Sequence, residues 1–357
     1  MKTFLKGMET GSRKLLFRFM TAAARRQVRK VVPKGERLNR IMIMRQDRIG
    51  DMVMTLPLLR KMGELYPEAR IGVVASESNS IVLKYEKGIQ LLPFQKDPAG
   101  FLRSIVRARE FAPDASVDMH MHDSTTSFLF CMLSGAFWKL HVDRNNRLPF
   151  NVRVPARQDG HIVTAFADLL SGLGKRLDTE NLNREPALSG TELEFAANFW
   201  SGAGLDPRKC ALVNISAGGD NRRWPSENYA AVCRGLANEG LAPVIVSSPA
   251  DREKAVGITE GCEVSFIAPP TPDILHLAAL LGGTALLVSP DTSVVHLAAA
   301  CGVPVAGMYL PFDPSLPKWF PWKTDCEVVM AKDSRSLDSV KPEILLKAAL
   351  SVLERRV

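Results

Sequence analysis

The chain has 357 residues, 46 Lys or Arg against 38 Asp or Glu, and 46% apolar residues. That is enough for two domains of ordinary size, each with a sizeable core, and no apolar run is long enough to cross a bilayer. Six scattered cysteines without a Cys-x-x-Cys pair read as reduced, mostly buried small apolar residues of a reducing compartment. Neither a low-complexity segment nor a short-period repeat is present.

Residues 1–40 hold twelve Lys or Arg and two acids, Glu9 and Glu36, so this arm carries +10 and leaves the remainder at about −2 in a chain of net +8. Within it Leu15, Leu16, Phe19, Met20 and Ala22 gather on one helical face, and Arg18, Arg25 and Arg29 on another. Such a basic amphipathic helix suits the headgroup region of an anionic membrane, where each basic residue contributes about 1 kcal/mol. The alternatives are a solvated helix or a disordered basic tail. A targeting peptide lacks its apolar core and cleavage site here. Because the positive charge is confined to the arm and no aromatics interleave with it, no nucleic-acid partner is expected.

Beyond the arm, Ile41–Met44 reads as a buried strand and Arg45–Asp51 as a polar loop. Met52, Leu56, Leu59, Met62 and Leu65 then recur at helical spacing, and Pro57 inside the pattern predicts a late start or a kink. Asp51, at the loop–helix junction, is either an N-terminal cap or a base facing a cleft. Further strands are expected at Ile71–Ala75, Gln90–Pro93, Ser116–Met119 and Lys139–Val142. His120-x-His122 with Asp123 admits a metal site but fits polar lining or satisfied core groups better. The polar stretch Asp178–Gly190, with Pro186 in it, is the best linker.

The second half opens with the strand-like run Ala211–Ile215, followed by Ser216-Ala217-Gly218-Gly219, then Arg222 and Arg223, then a helix whose first turn Pro225 suits. The glycines let backbone approach a ligand, and the arginines neutralise a pyrophosphate without metal; the alternative is a solvated loop. Trp224 reads as a packing anchor rather than a base-stacking group. Pro243–Ser247, Val264–Ile267, Leu286–Val288 and Val305–Met308 are the remaining expected strands. After the apolar run Thr284–Val288, the residues Asp291, Thr292 and Ser293 cap a helix that Gly302 ends. A strand–turn–helix unit of this kind aims free N–H groups and a positive dipole end at an anion, although any α/β protein contains capped helices. Trp319, Phe320 and Trp322, near Pro317 and Pro321, look like a packed loop, and a last helix is expected over Glu343–Arg355. The alternation throughout is that of two parallel, helix-covered sheets, an α/β chain. No nucleotide-binding glycine fingerprint or phosphate-loop lysine signature is present, which removes the main support for a cofactor dehydrogenase or a nucleotide hydrolase.

Three of these segments together resemble glycosyltransferase family 9, the ADP-heptose:lipopolysaccharide heptosyltransferases. They are the R-x-D-x-x-G-D-x-x-x-T-x-P run from Arg45 to Pro57, the R-R-W-P-x-E-x-Y run from Arg222 to Tyr229, and P-D-T-S-x-x-H-x-A-A-x-x-G-x-P from Pro290 to Pro304. Asp118-Met119-His120 followed by Ser134-Gly135-Ala136 is a weaker match, and the likeness spans about residues 41 to 345. It implies the GT-B architecture, two Rossmann-like domains with parallel sheets facing across a cleft. The expected layout is an arm (1–40), an acceptor-binding domain (41–180), a donor-binding domain (181–340) and a C-terminal helix (341–357) packing back on the body.

The resemblance also assigns roles. Asp51 takes the position of the family's base, which overrides the cap reading. Arg222 and Arg223 would hold the diphosphate, with Thr292, Ser293, the N–H groups of the helix they open, and His296 one turn on. Asp291 would bind hydroxyls of the transferred sugar, and Ala217 and Gly218 would line the nucleotide through backbone. Ser247, Asp251 and Glu253 lie in the region for adenine and ribose. Arg48 and Arg60 either meet an anionic acceptor such as Kdo or are surface charge, and His120 corresponds to an acceptor-lining position. The implied reaction is inverting, by single displacement, with no metal and no cofactor, since the ADP-sugar is a substrate. Implied partners are ADP-heptose, a lipopolysaccharide core acceptor and, through residues 1–40, the inner face of the cytoplasmic membrane. Alternatives are a related transferase with another sugar or acceptor (an O-chain or a protein) and a non-catalytic adaptor, which the joint presence of Asp51, Arg222 and Asp291 disfavours.

Overall fold

The computed structural model describes residues 29–121, 124–143, 150–157, 160–311 and 319–355. The amphipathic stretch before Arg29, and His122, Asp123 and Pro317, lie outside the described residues. The chain forms two compact units, one of residues 1–47, 58–80 and 87–182, the other of 48–57, 81–86 and 183–357.

The first unit is a six-stranded parallel sheet in the order β3-β2-β1-β4-β5-β6, built from β1 (Arg40–Met44), β2 (Arg70–Ser76), β3 (Ile89–Phe94), β4 (Ala115–Asp118), β5 (Trp138–Asp143) and β6 (Val152–Pro155). Its longer helices are the second half of α1 (Ile49–Leu65), α2 (Pro98–Phe111), α3 (Thr125–Leu133) and α4 (Ile162–Ser171). β1 is apolar on both faces because helices cover a parallel sheet on both sides, and four of its five residues are buried. Edge-to-face phenylalanines fill one side: Phe94 with Phe101 and Phe130, and Phe128 with Phe150. The strand order reverses between β1 and β4, so the loops after Met44 and after Asp118 leave adjacent strand ends at a switch point.

Three local readings change. The unit already begins within the expected arm: Arg29 bridges to Val152, and Val32 is buried and donates its N–H to the Gly172 carbonyl. Of the late start and the kink that Pro57 predicts, the late start does not occur: α1 begins at Ile49 and continues through the proline to Leu65. Strand β6 was not anticipated. It is a four-residue edge strand carrying an arginine and a proline, the composition by which an edge hides.

The second unit is also a six-stranded parallel sheet, in the order β12-β11-β10-β7-β8-β9. Its strands are β7 (Cys210–Asn214), β8 (Ala242–Val246), β9 (Phe266–Ile267), β10 (Leu286–Pro290), β11 (Val305–Tyr309) and β12 (Cys326–Met330). The helices are α5 (Gly190–Ala203), α6 (Ser226–Asn238), α7 (Arg252–Glu260), α8 (Ile274–Leu281), α9 (Ser293–Ala300) and α10 (Pro342–Glu354). The switch point lies between β7 and β10, whose following loops are the two ligand-binding candidates. The C-terminal helix α10 packs into this unit's core through Leu345, Ala349 and Val352. Trp224, 1% exposed, donates its indole N–H to the Val340 carbonyl and meets Tyr229 edge-to-face at 5.0 Å, so it is the expected anchor.

Residues 81–86 come from the first half of the chain yet belong to the second unit. What holds them is Glu192, fully buried at the start of α5. Its carboxylate closes a capping box with Ser189, accepts from the Tyr85 hydroxyl at 2.9 Å and pairs with Lys84 Nζ at 3.3 Å. Burial opposes its ionisation, but the Ser189 and Tyr85 hydrogen bonds outweigh that and hold its pKa down to about 2. A depressed carboxylate contributes stability above the unfolded carboxylate range and loses it as pH falls toward the folded pKa. Glu192→Ala should therefore cost about 1–3 kcal/mol near neutral pH, since it leaves the hydrogen-bond partners of a buried carboxylate unmet. In urea melts the gap between wild type and variant should narrow steadily as pH falls below about 5.

Candidate active site

The loops after β7, β8 and β10 meet at the carboxyl edge of the second unit's sheet. Asn214, 2% exposed at the end of β7, ties two of them together. Its side-chain amide donates to Ser289 Oγ at 2.9 Å, to the Ser216 carbonyl at 3.2 Å and to Thr292 Oγ1 at 3.3 Å. Its own carbonyl accepts from the Ser216 N–H. Thr292 is the N-cap of α9, its hydroxyl accepting from the Val294 N–H at 3.2 Å, and Gly302 leaves that helix in the left-handed region at φ +71°. The far end of α9 is tied by Arg184, whose guanidinium donates to the carbonyls of Ala299, Trp322 and Lys323, a cation at the negative end of the helix dipole.

Arg222, on a short 3-10 turn, donates to the Asp291 carbonyl at 3.1 Å and pairs with the Asp291 carboxylate at 3.3 Å. Burial raises the pKa of Asp291, and the nearby charges of Arg222 and Arg48 only partly offset it. Arg223 spans Asp220 at 3.2 Å and Asp251 at 3.7 Å. Ala217 is half-buried and Gly218 exposed; a Cβ on Gly218 would meet nothing within 4 Å, so this stretch of backbone is open to a ligand. Of the three residues expected near adenine and ribose, Asp251 is occupied by Ser248 and Arg223, Glu253 is exposed, and Ser247 keeps a buried hydroxyl with no partner among the described residues.

The segment 48–57 completes this unit. Met52 N–H bonds the Arg48 carbonyl, so Arg48 opens α1 and Asp51 lies inside its first turn. Asp51 is thus not the cap. It is 7% exposed, and its carbonyl accepts from Thr55 Oγ1 at 2.7 Å. Gly50 explains how this turn reaches the donor-side loops. A Cβ there would fall 2.7 Å from His296 Cδ2 and 3.2 Å from Ser293 Cα. Only a residue without a side chain lets the first turn of α1 rest on the first turn of α9.

The first unit holds Arg60, half-buried on α1, and a polar cluster beneath its own switch point. His120 Nδ1 lies 2.7 Å from Asp118 Oδ1 and its Nε2 lies 3.8 Å from Asp47 Oδ2. Arg45 Nη1 donates to Asp47 at 3.0 Å and to the Met119 carbonyl at 3.2 Å, with its guanidinium 4.2 Å from the centre of the Phe166 ring. Asn79 fixes the same loop by donating to the Arg45 carbonyl at 2.8 Å.

Sequence reasoning gave no role to Asn214, Arg184, Arg45 or Asp118; an Asn or Asp closing an apolar strand gives no sign of which loops it will join. Among the described residues, one group has donor atoms close enough for a metal ion, Glu192, Asp273 and His276. Their atoms already serve as helix caps and as the partners of Lys84 and Tyr85.

Residues 114–349 of the chain match the family model of glycosyltransferase family 9 (heptosyltransferase). The lipopolysaccharide core heptosyltransferase OpsX of Haemophilus influenzae is 25% identical over 287 residues, 76% of this chain and 79% of that protein. Among solved structures, a family 9 glycosyl transferase from Veillonella parvula superposes with a TM-score of 0.74 at 20% identity, covering 89% of this chain and 97% of its own. The ADP-heptose lipopolysaccharide heptosyltransferase II of E. coli gives 0.69 at 21% identity, covering 89% and 99%. The fold is therefore GT-B.

Two glycines of α1 test the packing. Gly50→Ala should destabilise by about 1–3 kcal/mol through overpacking against α9. Gly63→Ala, where a Cβ meets nothing within 4 Å, should stabilise by about 0.5–1 kcal/mol. Urea midpoints at constant m-value read both.

Proposed function

Since the chain belongs to glycosyltransferase family 9, we propose that it transfers heptose from ADP-heptose to the inner core of lipopolysaccharide, by single displacement with inversion. The observation that carries this reading is the rest of the Asp51 turn on the start of α9, next to the Arg222–Asp291 pair. A proton acceptor, an anion-binding helix start and a basic residue then share one unit. The relatives' names, lipopolysaccharide core heptosyltransferase above all, support the donor and acceptor class.

In this reading Asp51 removes the proton of the acceptor hydroxyl as its oxygen bonds to the anomeric carbon. The bond from that carbon to the diphosphate breaks, and ADP leaves with the electron pair. Arg222 and Arg223, the N–H groups at the start of α9, Thr292, Ser293 and His296 stabilise the charge on the departing diphosphate. These cations do the work a metal does elsewhere, and the balanced reaction calls for no cofactor. Asp291 binds sugar hydroxyls, and Ala217 and Gly218 line the nucleotide. Arg48 and Arg60 meet the anionic acceptor. The contribution of His120 to acceptor recognition is indirect, since its ring is 4% exposed and lies between two carboxylates. Residues 1–40 hold the enzyme on an anionic membrane, where a lipid-linked acceptor resides.

The test is transfer from ADP-L-glycero-D-manno-heptose to a heptose-free lipid A–Kdo acceptor. Wild type should turn over. Asp51→Asn should lose roughly 10²-fold or more in kcat, as for a general base. Arg222→Gln should raise the donor KM about tenfold, the loss of one charge-assisted contact. Saturable donor binding without turnover would move the search to another acceptor, and no binding of any ADP-sugar would overturn the reading.

A further inference from the structure

The polar cluster of the first unit poses a problem of proton count. His120 is 4% exposed and Asp118 1%. Asp118 Oδ1 accepts the His120 backbone N–H at 3.1 Å and lies 2.7 Å from ring Nδ1, so this carboxylate fixes both the turn and the ring. The opposite nitrogen, Nε2, faces Asp47 Oδ2 at 3.8 Å. A neutral imidazole carries one N–H. With Nδ1–H spent on Asp118, a neutral ring would turn a lone pair toward the Asp47 carboxylate. Only the doubly protonated ring presents a donor to each acid.

The surroundings agree with a charged ring. Burial pushes the His120 pKa down, and the hydrogen bond and charge of Asp118, with the charge of Asp47, outweigh burial and the opposing Arg45 to leave it raised. The groups facing the ring among the described residues include Arg45 and Asp47 from the loop after β1, Asp118 from β4, and Ser127 Oγ from α3, which is 3.0 Å from Nδ1 and accepts from Gln46 at 2.9 Å. His141 of β5, stacked on Phe150, reaches the second oxygen of Asp118 at 3.5 Å, and Cys131 of α3 is buried beside the same acid.

We propose that His120 is a positioning residue: its imidazolium, gripped by Asp118, holds Asp47 and so fixes the turn from which the chain runs on through Arg48 and Gly50 to Asp51. Asp47 is held from two sides, by Arg45 and by His120, and stands four residues before Asp51. A base must sit within hydrogen-bond reach of its proton, and a displacement of about 1 Å costs up to roughly a hundredfold in rate. The inference rests on the reading of Asp51 as the base.

The experiment uses the full-length protein with ¹⁵N-labelled histidine. The resonances missing from His120→Gln identify the ring, which should be an imidazolium at pH 7 in wild type and neutral at that pH in Asp118→Asn. His120→Gln should lower kcat for heptosyl transfer about tenfold with the donor KM within twofold. The wild-type rate should also fall as pH rises through the raised His120 pKa, a limb absent from the variant. His120→Gln and Asp47→Asn should couple in a double-mutant cycle read by urea unfolding. Where His120→Gln fails to fold, the isosteric Asp118→Asn carries the kinetic arm. A ring that is neutral at pH 7 in wild type, or an unchanged kcat, overturns the inference while leaving heptosyl transfer standing. If wild type transfers no heptose, the proposed function falls, and the histidine titration and the cycle still decide whether His120 holds Asp47.

Discussion

The missing side chain at Gly50 is the constraint on which the rest of the second unit's site depends. The space a Cβ would need is taken by Ser293 and His296, so the first turns of α1 and α9 lie against each other. Both ends are positive poles of helix dipoles, and bringing two such poles together is unfavourable by itself. The residues at the junction are those that offset it: Asp51 in the first turn of α1, and Asp291 with the Thr292 cap before α9. The same field makes the junction a natural seat for a dianionic leaving group. Steric fit and electrostatics thus point to one location.

What keeps that location in shape is a buried polar network rather than apolar packing. Asn214 is surrounded by the apolar ends of β7 and β10, yet it satisfies partners on the two loops that follow those strands. An amide left unpaired there would cost about 1–3 kcal/mol, so the two loops are held to one relative geometry. Arg184 does the corresponding work at the far end of α9. The helix that presents its N–H groups is consequently fixed at both ends.

The sequence made the central strands and the ligand-facing loops legible, because parallel strands buried on both faces read as continuous apolar runs. The edge strands β6 and β12 escaped for the converse reason: Val152–Pro155 contains an arginine and a proline, and Cys326–Met330 is only half-buried. Asp51 reads as a cap or a base because a carboxylate at a loop–helix junction fits either; α1 starts two residues before it, which puts it inside the first turn. Pro57 predicts a late start or a kink, yet α1 begins at Ile49 and runs through the proline to Leu65. The spacing also predicts that Thr292 caps α9, and Arg222 and Asp291 from two separate motifs meet as a pair. No local pattern could show that Lys84 and Tyr85 would be claimed by Glu192, more than a hundred residues away.

Charge placement gives the last step. With the arm set aside, the remaining chain is slightly acidic, and the cations of the site are already paired with carboxylates: Arg222 with Asp291, and Arg223 with Asp220 and Asp251. In the proposed reaction a donor diphosphate therefore competes for arginines rather than entering an empty basic pocket. The competition is mild. The Arg222 and Asp291 side chains keep 29% and 25% of their exposure, and an ion pair so wet is worth about 0–1 kcal/mol. In the proposed reaction both partners gain from the exchange, Arg222 meeting phosphate oxygens and Asp291 meeting sugar hydroxyls. The ion pair keeps two ligand-binding groups in register at small cost until one ligand takes both.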